Sequence, residues 1–140
     1  MTIAQLIYAS KASMETRPSV EEILKTSRVR NKQSQLTGFL CFRNDMFLQV
    51  FEGAPAAVSA LYGRIASDRR HSNVEILGYE KVVRRRFSTW SMGYLANFGG
   101  VQSILFSYSG QDEFDPYGMD YRNAIEFLSE VANVGGRPGD

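Results

Sequence analysis

Residues 36–53, LTGFLCFRNDMFLQVFEG, decide the fold. Two apolar runs flank the short turn RND, the pattern of a β-hairpin over residues 36–51. Hydrophobic side chains occupy both parities of the two runs, so the sheet containing this hairpin is expected to be covered on both faces. One residue breaks the pattern. Gln49 sets a primary amide among Met46, Phe47, Leu48, Val50 and Phe51. A buried amide without partners costs about 2–7 kcal/mol, depending on the reference state, so Gln49 needs something to bond. A backbone group or a trapped water is the simple answer for a single such residue.

Upstream, IAQLIYA (3–9) reads as a strand and RPSVEEILKTSRVRN (17–31) as a helix, with Pro18 in front and Ser19/Glu22 at capping-box spacing. Downstream, Gly53 ends the hairpin and Pro55 suits the first turn of a second helix, APAAVSALYGRIASDRR. VEILGYEKVV (74–83) is a fourth strand, and FSTWSMGYL supplies a fifth at about 89–95 after the run Arg84–Arg86. The order β-α-β-β-α-β-β predicts an α+β, ferredoxin-like domain with a five-stranded mixed sheet and two helices on one face. Tyr121, Ala124, Ile125, Leu128 and Val131 recur at helical spacing before Gly135 and Gly136, so a C-terminal helix is expected on or near the other face. Val101, Ile104, Leu105 and Tyr108 suggest a short helix before it, and RPGD a loose tail. Residues 1–97 form the main unit, with 98–140 a helical extension of the same domain.

The 140 residues suit one domain that buries roughly two-thirds of its unfolded surface. A net charge of +1 gives no electrostatic reason to expect nucleic acid or an anionic membrane. Cys41 is the single cysteine, which excludes an internal disulfide and fits a reducing compartment. No leader pattern and no apolar run near the ~20 residues of a membrane span is present, so a cytoplasmic protein is expected.

Polar residues recur on the apolar faces. Val20, Ile23, Leu24, Ser27 and Asn31 share one stripe of the first helix, although Asn31 as a helix cap and Ser27 bonded to its own turn would explain the last two. Arg64, Asp68 and His71 flank the apolar stripe of the second, where a solvated Arg64–Asp68 pair is the plain reading. Tyr8 shares its strand parity with Ala4 and Leu6. Taken together, Tyr8, Gln49, Asn31, Ser27 and the Arg64/Asp68 flank would line the space between the helices and the sheet. Two amides there suit the imide-like edge of a flat heteroaromatic ring, whose body would pack on Ile7, Ile23, Leu24 and Leu40. A flavin meets that description better than a pterin or a nucleobase.

The motifs LIYAS (6–10), SRVRN (27–31), LTGFLCF (36–42), FLQVFEG (47–53), DRRH (68–71) and FSTWSMGYL (87–95), in this order, resemble the BLUF family of flavin-binding blue-light sensors, in its short single-domain form. The resemblance implies non-covalent FAD, with FMN and riboflavin as alternatives. It implies Tyr8 as electron and proton donor, and Gln49 as a bridge that rotates or tautomerises after illumination. Trp90 and Met92 would be a fifth-strand pair that relays the signal. Asn31 would hold the flavin edge, and Arg64, Asp68, Arg70 and His71 match positions that contact the flavin or its side chain. Arg30 stands where some relatives carry His.

Two other classes compete. A flavin-dependent reductase would need substrate access to the atom that Gln49 covers. Cys41 and His71 make no convincing catalytic set, metal-ligand spacing is absent, and no enzyme is expected. An RNA-binding module of the RRM type shares the element order, with Phe47 and Phe51 as its stacking aromatics, but the near-neutral charge opposes it. Arg84–Arg86 reads as solvated surface or a contact for cofactor phosphate. Output is expected to pass in trans to another protein or to a second copy, with a homodimer through the sheet or the C-terminal segment.

Overall fold

A computed structural model describes residues 2–13, 20–95, 98–109 and 113–136. The proposed capping box at Ser19 and the RPGD tail lie outside these residues. The elements run β1 (Ile3–Ala12), α1 (Val20–Ser34), β2 (Thr37–Arg43), β3 (Met46–Gly53), α2 (Pro55–Ser67), β4 (His71–Val82), β5 (Gly93–Leu95), α3 (Gln102–Ser109) and α4 (Tyr121–Gly135). The sheet order is β4-β1-β3-β2-β5, antiparallel except for the β2–β5 pair. This is the five-stranded mixed α+β sheet that the element order implies.

The β2–β3 hairpin closes on Asn44 and Asp45, both with φ in the left-handed region (55° and 61°), between paired Arg43 and Met46. Asn and Asp tolerate that conformation better than other non-glycine residues, so a two-residue turn fixes the register. With that register set, odd and even side chains sort cleanly. Leu6, Tyr8, Leu40, Phe47 and Phe51 face α1 and α2, whereas Ile7, Phe39, Cys41, Leu48 and Val50 pack with residues of α3 and α4. Phe47 and Phe51 are fully buried against the first pair of helices, and the second pair covers the opposite face. Neither face offers the open aromatic platform that an RRM uses.

The core on the α1/α2 side is split. One cluster gathers Val58 of α2 with Leu6, Tyr8 and Phe51; another gathers Ile23 and Leu24 of α1 with Leu40, Phe47 and Met92. Gln49 lies between Phe47 and Phe51, on the seam.

The fifth strand is shorter than its sequence suggests. The amides of Arg86 and Phe87 donate to the buried carboxylate of Glu52 (2.9–3.1 Å), and Trp90 O accepts from Gly38 N at 2.9 Å. Those bonds hold the chain off the strand path until Gly93. The same carboxylate accepts from Gln5 Nε2 at 2.8 Å, and the Tyr121 hydroxyl donates to Gln5 Oε1. A continuous polar chain thus ties α4 to β1, β3 and the β4–β5 connection. Asp120 caps α4 by accepting from Asn123 N at 2.8 Å, a cap type that stabilises a helix by roughly 0.5–2 kcal/mol.

Candidate functional site

Tyr8 and Gln49 are register partners in the β1–β3 ladder, both buried and both aimed at the seam between α1 and α2. The Tyr8 hydroxyl donates to Gln49 Oε1, and Gln49 Nε2 donates to the Met92 thioether at 3.3 Å. The amide in the apolar strand is therefore held by a phenol on one side and a soft, weak acceptor on the other. Burial pushes the Tyr8 phenol well above its usual pKa, so it stays a proton donor at neutral pH.

Asn31 is buried on α1, which runs three residues past it to Ser34, so it does not cap the helix. Its Nδ2 donates to Ser91 O at 2.6 Å, while its Oδ1 is buried with no partner. Buried polar atoms are nearly always satisfied in folded proteins, so an orphaned acceptor marks a place for an N–H or O–H group from elsewhere.

The Arg64–Asp68 pair expected along α2 does not form. The backbone leaves the helix at Asp68 (φ −77°, ψ 125°), and its carboxylate takes the Arg70 backbone N–H at 2.9 Å and the Arg70 guanidinium at 2.7–3.2 Å. The Arg70 side chain holds the Asp68 carboxyl below its usual pKa. His71 opens β4 rather than trailing a helix; its Nδ1 pairs with Ser10 Oγ at 2.9 Å and its ring lies 4.8 Å from that of Phe47. Burial pushes the imidazole below 6.5, leaving it neutral at pH 7.

These residues surround a cleft of about 260 Å³ between α1, α2 and the sheet. Tyr8 and Gln49 line it, as do Ile23, Ser27, Asn31, Arg64, Asp68, Arg70 and His71. Thr26 and Arg30 line it as well, and with Ile23 and Ser27 they fall at i, i+3, i+4 and i+7. The cleft-facing stripe of α1 is thus turned one residue from the purely apolar stripe, a signal that only the polar spacing carries. Phe47, Leu61 and Ile65 add the apolar walls.

Four expected positions differ. Ile7 points to the α4 side of the sheet, because it alternates with Tyr8. Leu24 belongs to the core beneath α1 and does not line the cleft. Trp90 and Met92 are not a strand pair: both precede β5, and they face opposite sides. Met92 meets Gln49, whereas the Trp90 ring packs 5.3 Å from Phe39 and 6.2 Å from Phe87 on the α4 side. Arg84–Arg86 lie near the end of α4 and do not line the cleft.

The family described as sensors of blue-light using FAD matches this chain over residues 3–93. The photoactivated adenylate cyclase subunit beta of Euglena gracilis is 33% identical over 111 residues, covering 74% of this chain; the chain spans 13% of that relative's length. BlsA in its photo-activated state superposes with a TM-score of 0.83 at 27% identity, covering 94% of each chain. BlrB in its dark state, at 24% identity and a TM-score of 0.73 over 92% of this chain and 93% of its own, is alike in fold. With its motifs, its fold and its cleft in agreement, the chain belongs to the BLUF family of blue-light sensors that use a flavin.

Proposed function

We propose that this chain senses blue light through FAD held in the α1–α2 cleft, with the Tyr8–Gln49–Met92 hydrogen bonds as its switching element. The observation that carries this reading is the Gln49 amide, placed on the cleft wall between one strong donor and one weak acceptor. The residues fit a flavin: the orphaned Asn31 Oδ1 suits a ring N–H, Ile23, Leu40, Phe47 and Leu61 suit an apolar ring body, and Ser27 supplies a hydroxyl. Arg30 and Arg64, both exposed, suit the phosphates that distinguish FAD and FMN from riboflavin, and the family description favours FAD. Arg70 and Asp68 would brace each other at the rim, and His71 would brace Ser10.

A bound flavin supplies absorption of blue light and an excited state that accepts an electron. The Tyr8 hydroxyl offers the accompanying proton to Gln49 Oε1 along the hydrogen bond already present. A rotation of the Gln49 amide would turn Nε2 toward the Tyr8 oxygen and remove its bond to Met92 Sδ. In the first arrangement Oε1 accepts from the Tyr8 hydroxyl and in the second Nε2 would donate to it, the alternation that a two-state element requires. Met92 follows Ser91, whose carbonyl Asn31 holds, and Met92 O accepts from Arg28 Nε at 3.2 Å. Loss of the thioether contact would therefore loosen a segment pinned at two neighbouring points.

We read the protein as a sensor rather than an enzyme. Cys41 is buried on the α4 side, its thiol pushed up by burial, and cannot reach His71 on the other face. The downstream partner would act in trans, and a homodimer would give more than 15.8 kDa in dilute light scattering. A lone cysteine suits a cytoplasmic setting. No described helix is long and apolar enough to cross a membrane. The test is direct: purified protein should be yellow, release FAD on denaturation and undergo a reversible red shift under blue light. Colourless protein that no flavin reconstitutes would overturn the reading.

A further inference from the structure

A concavity larger than this cleft lies elsewhere among the described residues. A groove of about 750 Å³ lies between residues 82–90 and the C-terminal half of α4. Its volume is in the range of roughly 300–1,000 Å³ typical of small-ligand sites. Arg84, Arg85 and Arg86 line one wall, Ser129 and Asn133 of α4 line the other, and among the described residues no carboxylate side chain lines either.

The basic wall is built, not merely present. Glu52, the carboxylate behind it, is fully buried and accepts from Arg86 N, Phe87 N and Gln5 Nε2, which fixes the backbone on which the arginines stand. Arg85 is itself held, donating to Thr37 Oγ1 at 3.0 Å and Glu52 O at 3.1 Å. The Arg84 and Arg86 side chains are exposed and form no ion pair among the described residues. Two free guanidinium forks on a fixed backbone match a phosphate group, which accepts paired N–H bonds. Trp90 also lines the groove; Phe39 and Phe87 hold its ring, which is half-buried. The Asn133 amide opposite offers a donor and an acceptor together. Phosphate recognition beside an aromatic ring and an amide is the chemistry a nucleotide uses.

We propose that this groove is a second binding site, separate from the flavin cleft, for a phosphorylated small molecule of the nucleotide class. Arg84 and Arg86 take the phosphates, and Trp90 and Asn133 take the base. An acidic protein segment would satisfy the arginines but would leave the concavity and the Trp90–Asn133 pair without a purpose.

The experiment uses the flavin-loaded full chain and titrates it with ATP, adenosine and inorganic pyrophosphate. Binding is followed by calorimetry and by fluorescence of Trp90, the one tryptophan in the chain. ATP is expected to bind once per chain and to perturb Trp90, with pyrophosphate weaker and competing. Arg84→Ala/Arg86→Ala should lose at least about tenfold in ATP affinity, with flavin absorbance unchanged, and Arg84→Lys/Arg86→Lys should lose less. The proposal fails if ATP gives no signal at millimolar concentration, or binds the alanine variant as tightly as wild type. It also fails if ATP binds only by expelling flavin, or if a glutamate-rich peptide saturates the groove where ATP does not. Flavin retention is read independently, so none of these outcomes bears on the photosensory reading.

Discussion

The Tyr8 hydroxyl and the Gln49 amide oxygen meet because their residues are direct partners across the β1–β3 ladder. A slip of one residue in that register would turn one side chain to the opposite face. The two-residue turn at Asn44–Asp45 sets the neighbouring β2–β3 register and so helps keep Gln49 on the cleft side. The proposed switch thus stands on two inner strands of the sheet.

Tyr8→Phe removes the donor and leaves Gln49 Oε1 buried without it. The cost should be about 1–3 kcal/mol in chemical denaturation. Flavin should remain bound, because the ring of the replacement fills the same volume, but the wild-type light response should be lost. An unaltered red shift in amplitude and recovery rate would remove Tyr8 from the mechanism.

Asn31→Ala should weaken flavin retention by about tenfold, measured by equilibrium dialysis against free FAD, since each factor of ten is about 1.4 kcal/mol. Stability should fall by only about 0.5–1.5 kcal/mol for the lost bond to Ser91. Unchanged retention with reduced stability would confine Asn31 to holding Ser91.

His71 has a folded-state pKa below its ordinary 6.5 because burial disfavours the charged ring. The unfolded chain therefore binds the proton first, and this contribution to stability is full above about 6.5 and declines as pH falls toward the lower, folded value. Asp68, also depressed, adds a loss at still lower pH, below 3.8. Denaturation midpoints should drop between pH 7 and 5 in wild type and drop less in His71→Asn. Identical pH profiles would show that the imidazole is not buried as described.

Gly78 lies under the ring of Tyr121, and a Cβ there would come within 2.2 Å of it. Gly78→Ala should displace Tyr121, break its bond to Gln5 and loosen α4, costing about 1–3 kcal/mol. Faster amide exchange confined to α4 would be the signature, and native exchange there would refute the contact.

Much of this architecture is legible in residues alone, for reasons that differ by element. The hairpin is readable because turn chemistry and apolar runs agree locally, and α4 because its stripe is long and ends in glycines. Asn31, Ser27 and Arg64 stand out as polar residues beside apolar stripes, which needs only helical spacing. What escapes is what distant residues decide. Glu52 draws the amides of Arg86 and Phe87 out of line, so β5 begins only at Gly93 and Trp90 turns away from Gln49. The Asp68–Arg70 pairing depends on a helix ending at Ser67, a boundary that spacing leaves open.

The most direct measurement is the light-minus-dark absorption spectrum of flavin-loaded Gln49→Leu beside wild type. The amide-switch account predicts a reversible red shift in wild type and none in the variant, with equal flavin content in both. A variant that shifts like wild type would contradict it.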